Sequence, residues 1–88
     1  MREREIEEYL VIRARSMGGE VRKVRWVGRR GAPDRLVMLP ARACIWVELK
    51  APGKEPDPHQ LREHARMRAM GQRVEVIDSL AGVEEVLE

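Results

Sequence analysis

Ile6, Leu10, Ala14 and Met17 fall on one stripe among charged neighbours, the spacing of an amphipathic helix. The pattern predicts a helix from Arg2 to about Met17, ended by Gly18 and Gly19. Val21 to Val27 then reads as a first strand, and Gly28 to Gly31 as a loop. Arg35 to Leu39 is a second short apolar run, opened by Asp34 and closed by Pro40. A third begins at Arg42 and is rich in β-branched and aromatic residues. It stops at Ala51, Pro52 and Gly53. The second and third runs predict an antiparallel hairpin. Beyond a polar loop, Asp57 is a natural N-cap and Pro58 a natural first helical residue, opening a helix that ends at Gly71. Arg73 to Asp78 reads as a fourth strand. Ser79 is placed to cap a last helix carrying Leu80, Val83, Val86 and Leu87. The order α-β-β-β-α-β-α predicts an α/β (α+β) fold with a mixed sheet flanked by helices. There are no internal repeats, and residues 1–88 read as a single domain.

Strand alternation gives the hairpin its chemistry. Cys44, Trp46, Glu48 and Lys50 share one face, and Ile45, Val47 and Leu49 share the other. Glu48 and Lys50 therefore point the same way, about 7 Å apart. In an antiparallel hairpin the start of the first strand lies beside the end of the second, which brings Asp34 next to Glu48 and Lys50. Two converging carboxylates repel unless a cation offsets them, and a hard cation with oxygen ligands meets that need. Mg²⁺ is the expected ion, with Mn²⁺ as the alternative. Such an ion polarises a phosphoryl oxygen and activates a water for attack, and Lys50 is placed to orient that water or offset transition-state charge. An isolated Glu-x-Lys is usually a surface pair. Here it ends an apolar strand whose partner opens with Asp34.

Net charge is only +2 across 88 residues, but its distribution is uneven. From Arg13 to Arg35 there are eight cationic side chains against Glu20 and Asp34, a basic stripe suited to phosphate attraction. A soluble, arginine-rich surface is the plainer explanation of the same stripe. No apolar run approaches the roughly 18 residues that span a membrane, and no signal peptide is visible at the charged start. Cys44 is the only cysteine, so neither an intrachain disulfide nor a zinc cluster is available. The expected compartment is a reducing cytoplasm. Placed within the third run, Cys44 reads as a small buried hydrophobe.

Gln60 and the histidines have local explanations. Gln60 stands three residues after Asp57 and completes a capping box. His59 and His64 read as helix-packing or DNA-contacting residues, because a metal and Lys50 already suffice to activate water.

Gly31 to Leu39 with its Pro33-Asp34 pair, Val47 to Gly53 with Glu48-Leu49-Lys50, and Gln60 in the following helix together resemble the VRR-NUC family of the PD-(D/E)XK nuclease superfamily. The likeness runs from the acidic first helix through Gly18-Gly19 and Arg29-Arg30-Gly31 to Gly71 and the strand ending at Asp78. It implies a restriction-endonuclease-like core and a metal-dependent DNA endonuclease. Small stand-alone members of the phage and bacterial type resemble Holliday junction resolvases that act as homodimers, so branched DNA is the implied partner and no small-molecule cofactor is expected. The resemblance implies catalytic roles for Asp34, Glu48, Lys50 and Gln60, and metal ligation by Asp34, Glu48 and the Leu49 carbonyl. Arg29, Arg30 and Lys54 become candidates for holding phosphates. A first-helix glutamate often joins the metal in this superfamily. Glu3 and Glu7 both qualify, and Glu3, three residues before Ile6, fits the spacing better. Their plain explanation is an acidic first turn favoured by the helix dipole. If phage-encoded, the protein would work in the host cytoplasm.

Two other readings use the same residues. A nuclease of different specificity, for flaps, single strands or a restriction-type site, would keep this catalytic set. A DNA-binding module without chemistry would not need two acids and a lysine together, since carboxylates repel phosphate unless they hold a metal.

Overall fold

The computed structural model describes all residues from Met1 to Glu88. The elements are α1 (Glu3–Ser16), β1 (Glu20–Lys23), β2 (Arg35–Met38), β3 (Ile45–Leu49), α2 (Pro58–Ala69), β4 (Arg73–Ile77) and α3 (Leu80–Leu87). This is the expected order. The strands form one mixed sheet in the order β1-β2-β3-β4, with β1 and β3 antiparallel to β2 and β4 parallel to β3. A parallel pair needs a crossover, which α2 supplies.

The two faces of the sheet are unlike. One carries the main core, where Val37, Ile45, Val47, Leu49 and Ile77 pack against Ile6, Leu10 and Ala14 of α1 and Val83, Val86 and Leu87 of α3. Burial of these side chains is the main force holding the fold. The opposite face is covered by α2, whose buried residues are Glu63, His64 and Met67. That layer is mixed: Met67 and Val74 lie in it beside Glu63 and His64, and Glu48 points into it. The buried polar side chains Glu48, Glu63 and His64 are thus gathered on the α2 side of the sheet.

Local signals set the helix ends. Asp57 is the N-cap of α2, Pro58 begins the helix, and Gln60 closes a capping box by accepting the Asp57 amide at 2.8 Å. Ser79 Oγ accepts the Gly82 amide at 2.9 Å and starts α3. A three-residue cluster ties the outer helices together: Glu84 of α3 accepts from Arg13 Nε at 2.8 Å and from the Tyr9 hydroxyl of α1.

Two expectations need correction. The first strand stops at Lys23 rather than Val27. Val24 makes a last rung, its amide donating to the Asp34 carbonyl at 2.9 Å, after which the chain leaves the sheet. Trp26 turns toward α2 instead. Cys44 lies just before β3 and is exposed. The hairpin pairing begins only at Ile45 opposite Val37, so Cys44 belongs to the connection and has no apolar layer to enter.

Candidate active site

Hairpin register places the two acids. Arg35 pairs with Val47 and Leu36 with Trp46, so one step outward Asp34 stands opposite Glu48. Alternation turns both to the α2 face, while Arg35 points to the other side and pairs with Glu7 of α1. Asp34 is fixed by its Oδ2, which accepts the Leu49 amide at 2.8 Å. The Leu49 backbone thus lies against the acid pair, and the Lys50 amide donates to the Ile77 carbonyl at 3.0 Å, which holds the end of β3 against β4.

Glu48 is 1 % exposed. Its Oε2 accepts from Gln60 Nε2 at 3.2 Å, and its Oε1 lies 3.1 Å from His64 Nε2. Gln60 therefore caps its helix and touches the acid at once, its amide oxygen serving one role and its amide nitrogen the other. Burial pushes the Glu48 carboxyl up to about 8, with hydrogen bonding to Asp34 and the Asp34 charge adding to the rise. Lys50 pulls in the opposite direction, and Glu3 adds to the upward push. The site is a buried acid beside a second acid, with Lys50 the one nearby charge that favours its ionised form.

His64 is the residue that sequence reasoning placed too vaguely. It is fully buried, its Nδ1 has no partner, and burial, followed by the charge of Arg68, lowers its basicity. Its position was readable: His64 stands four residues after Gln60, so the two share one face of α2. His59, by contrast, makes no contact with the acids in the hydrogen-bond network, although its carbonyl packs against Gly31.

A second buried acid organises the loop that delivers Asp34. Glu63 of α2 accepts from Trp26 Nε1 at 2.8 Å, Arg29 at 2.7 Å and Arg66 at 3.0 Å. Burial alone would raise its carboxyl, but hydrogen bonds from Arg66 and Trp26 and the Arg29 charge hold it below the usual range. Gly31 completes the clamp. Its φ is +92°, and a Cβ there would sit 2.9 Å from both the His59 carbonyl oxygen and Glu63 Cβ, so a side chain is excluded both by backbone conformation and by space. The segment from Val24 to Asp34 is thereby closed at its ends and pinned to α2 in the middle. Trp26 also lies against Trp46 of β3, with ring centroids 5.6 Å apart and planes at 59°.

The remaining sequence candidates separate. Arg29 is engaged by Glu63, whereas Arg30 and Lys54 are exposed and make no ion pair. Glu7 is engaged by Arg35, including an Nε contact at 2.6 Å. Glu3 is exposed, and its charge reaches Glu48.

No three His, Cys, Asp or Glu side chains converge on one point. An ion bound here would have to rely on one or two carboxylates, with water and phosphate filling the rest of its shell. Asp34 and Glu48 are the two acids available, their oxygens are hard donors, and a cation would offset the Asp34 charge that adds to the effect of burial on Glu48.

Among solved structures, a chain described as "VRR_NUC domain" is 43 % identical and superposes with a TM-score of 0.89, covering 97 % of this chain and 92 % of that one. The protein belongs to the VRR-NUC nuclease family. A curated relative, "Putative nuclease p44" of Acyrthosiphon pisum secondary endosymbiont phage 1, is 54 % identical over 79 residues, which are 90 % of this chain and 85 % of that protein. No protein-family model matches the chain. Membership supports the expected mixed α+β nuclease fold. No helix is long and apolar enough to cross a membrane.

Proposed function

We propose that this VRR-NUC nuclease is a Mg²⁺- or Mn²⁺-dependent endonuclease that hydrolyses DNA phosphodiesters, acting as a homodimer on four-way junctions in a reducing cytoplasm. The observation that carries the catalytic part is the convergence of Asp34 and Glu48 on one sheet face with Gln60 beside them and Lys50 on the same strand face. A divalent cation held by Asp34 and Glu48, with the Leu49 carbonyl as a further oxygen and Glu3 nearby, would supply Lewis-acid polarisation of the phosphate and an acidified water. Asp34, already anchored by the Leu49 amide, holds its position without help from the substrate. Gln60 fixes one Glu48 oxygen and leaves its own capping bond intact. Lys50 brings a positive charge to the face where negative charge grows on phosphorus. Arg30 and Lys54, free of acidic partners, are the side chains suited to hold flanking phosphates. Arg29 would contact DNA only in competition with Glu63.

The junction preference and the dimer rest on likeness to small stand-alone members of the family. The test is cleavage of matched linear, flapped, single-stranded and four-way DNA, with and without Mg²⁺ or Mn²⁺, alongside the oligomeric state in solution. Paired symmetric cuts in the four-way substrate by a dimer are the expected result. Cleavage of flaps or single strands instead would keep the catalytic assignment and replace the substrate. Metal-dependent cleavage that survives Asp34→Asn and Lys50→Ala would remove the assignment itself.

A further inference from the structure

Both oxygens of Glu48 are met by side-chain nitrogens from one helix. Gln60 Nε2 lies 3.2 Å from Oε2, and His64 Nε2 lies 3.1 Å from Oε1. The two side chains are one helical turn apart, so α2 grips the carboxyl from one side with two prongs.

The imidazole has two nitrogens, and only one has a partner. His64 is fully buried, and Nδ1 has none. A proton on Nδ1 would be a buried donor without an acceptor and would turn the Nε2 lone pair toward Glu48 Oε1. The proton therefore belongs on Nε2, where it is donated to Glu48.

We infer that His64 is a positioning residue for Glu48, a neutral imidazole whose Nε2–H holds one carboxylate oxygen so that the acid is already oriented for a cation shared with Asp34. The inference rests on the reading of Asp34 and Glu48 as cation ligands. Hydrogen bonds that orient a ligating side chain typically change metal affinity by about 10- to 100-fold when removed. His64 touches neither phosphate nor cation in this role, and it acts entirely through Glu48.

The test uses the full chain without DNA and reads Mn²⁺ binding by calorimetry or by electron paramagnetic resonance. His64→Phe keeps a flat ring and removes the donor, and His64→Gln restores an N–H on a shorter reach. Binding about 10- to 100-fold weaker in His64→Phe, largely recovered in His64→Gln, is the expected result. Equal Mn²⁺ affinity in His64→Phe and the unsubstituted protein would overturn the inference while leaving the metal reading intact. Equal weakening in both variants would assign the effect to packing and also overturn it. No Mn²⁺ binding by the unsubstituted protein would overturn the metal reading, and this inference with it. Nitrogen NMR of the unsubstituted, cation-free protein provides a check that does not depend on any variant folding: the Nε2–H tautomer is expected, and an Nδ1–H ring would sink the proposal.

Discussion

Asp34 and Glu48 face each other because paired positions in the β2–β3 hairpin run in strict antiparallel register, from Val37 opposite Ile45 to Arg35 opposite Val47. The acid pair is thus a product of local pairing. Its electrostatic cost comes from α2, which closes over Glu48 and excludes water from it.

That cost gives a first prediction about pH. The Glu48 carboxyl sits at about 8 in the folded protein against an ordinary value of 4.5, so between those values the folded chain binds more protons than the unfolded one. The stability this group contributes is complete below about 4.5 and is lost as pH rises through 8. Glu48→Gln should abolish cleavage, yet stabilise the cation-free protein at pH 8 by about 1–3 kcal/mol, with little effect at pH 4. Thermal melting at the two pH values checks the sign. A variant less stable than the parent at pH 8 would contradict the argument.

Binding of a cation requires that proton to leave. Mn²⁺ affinity should therefore increase from pH 6 to pH 8 and flatten above it, with proton release on binding. Calorimetry in buffers of different ionisation enthalpy measures the release directly. Chelation should return the pH dependence of stability to that of the cation-free protein.

Glu63 anchors the loop that carries Asp34 and makes its contribution in the opposite pH direction. Its carboxyl is held below the usual range, so its stabilising effect is present at neutral pH and fades as the solution becomes acidic. Glu63→Ala removes the acceptor for Trp26, Arg29 and Arg66. The expected loss is about 1–2 kcal/mol, because the Trp26 donor loses its acceptor while the exposed Arg29 and Arg66 return to water. Denaturant unfolding at pH 7 measures it. Cleavage should also fall at temperatures where the fold is intact, because Asp34 is no longer held in register with α2.

The two first-helix acids should part company. Glu7→Ala breaks a partly buried pair with Arg35 and should lower stability by about 1 kcal/mol with Mn²⁺ affinity unchanged. Glu3→Ala should leave stability unchanged and weaken Mn²⁺ binding several-fold. The reverse pattern would exchange their roles.

Much of this arrangement was legible in the chain because it depends on short-range periodicity. Strand alternation put Glu48 opposite in sense to Val47 and Leu49, and hairpin polarity brought Asp34 to it. The caps at Asp57 and Ser79 were equally local. What stayed hidden depends on which polar residues a helix buries. Glu63 and His64 look like ordinary surface residues until α2 is laid across a sheet face that offers them Trp26, Arg29 and Glu48. Val24 to Val27 misled for the related reason that Trp26 has a stronger partner in Glu63 than in any strand. Cys44 misled because propensity does not mark where hairpin pairing stops.

Trp26 and Trp46 are the only tryptophans in the chain, and their closeness has an optical consequence. One indole sits on the pinned loop, and the other stands on β3 two residues before Glu48. At 5.6 Å their transitions couple, so the pair should give a circular dichroism couplet in the far ultraviolet and a shared emission spectrum. Unseating the loop would separate the chromophores and erase the couplet before the sheet melts. The protein carries an intrinsic gauge of whether the loop leading to Asp34 is seated, readable without label, substrate or cleavage.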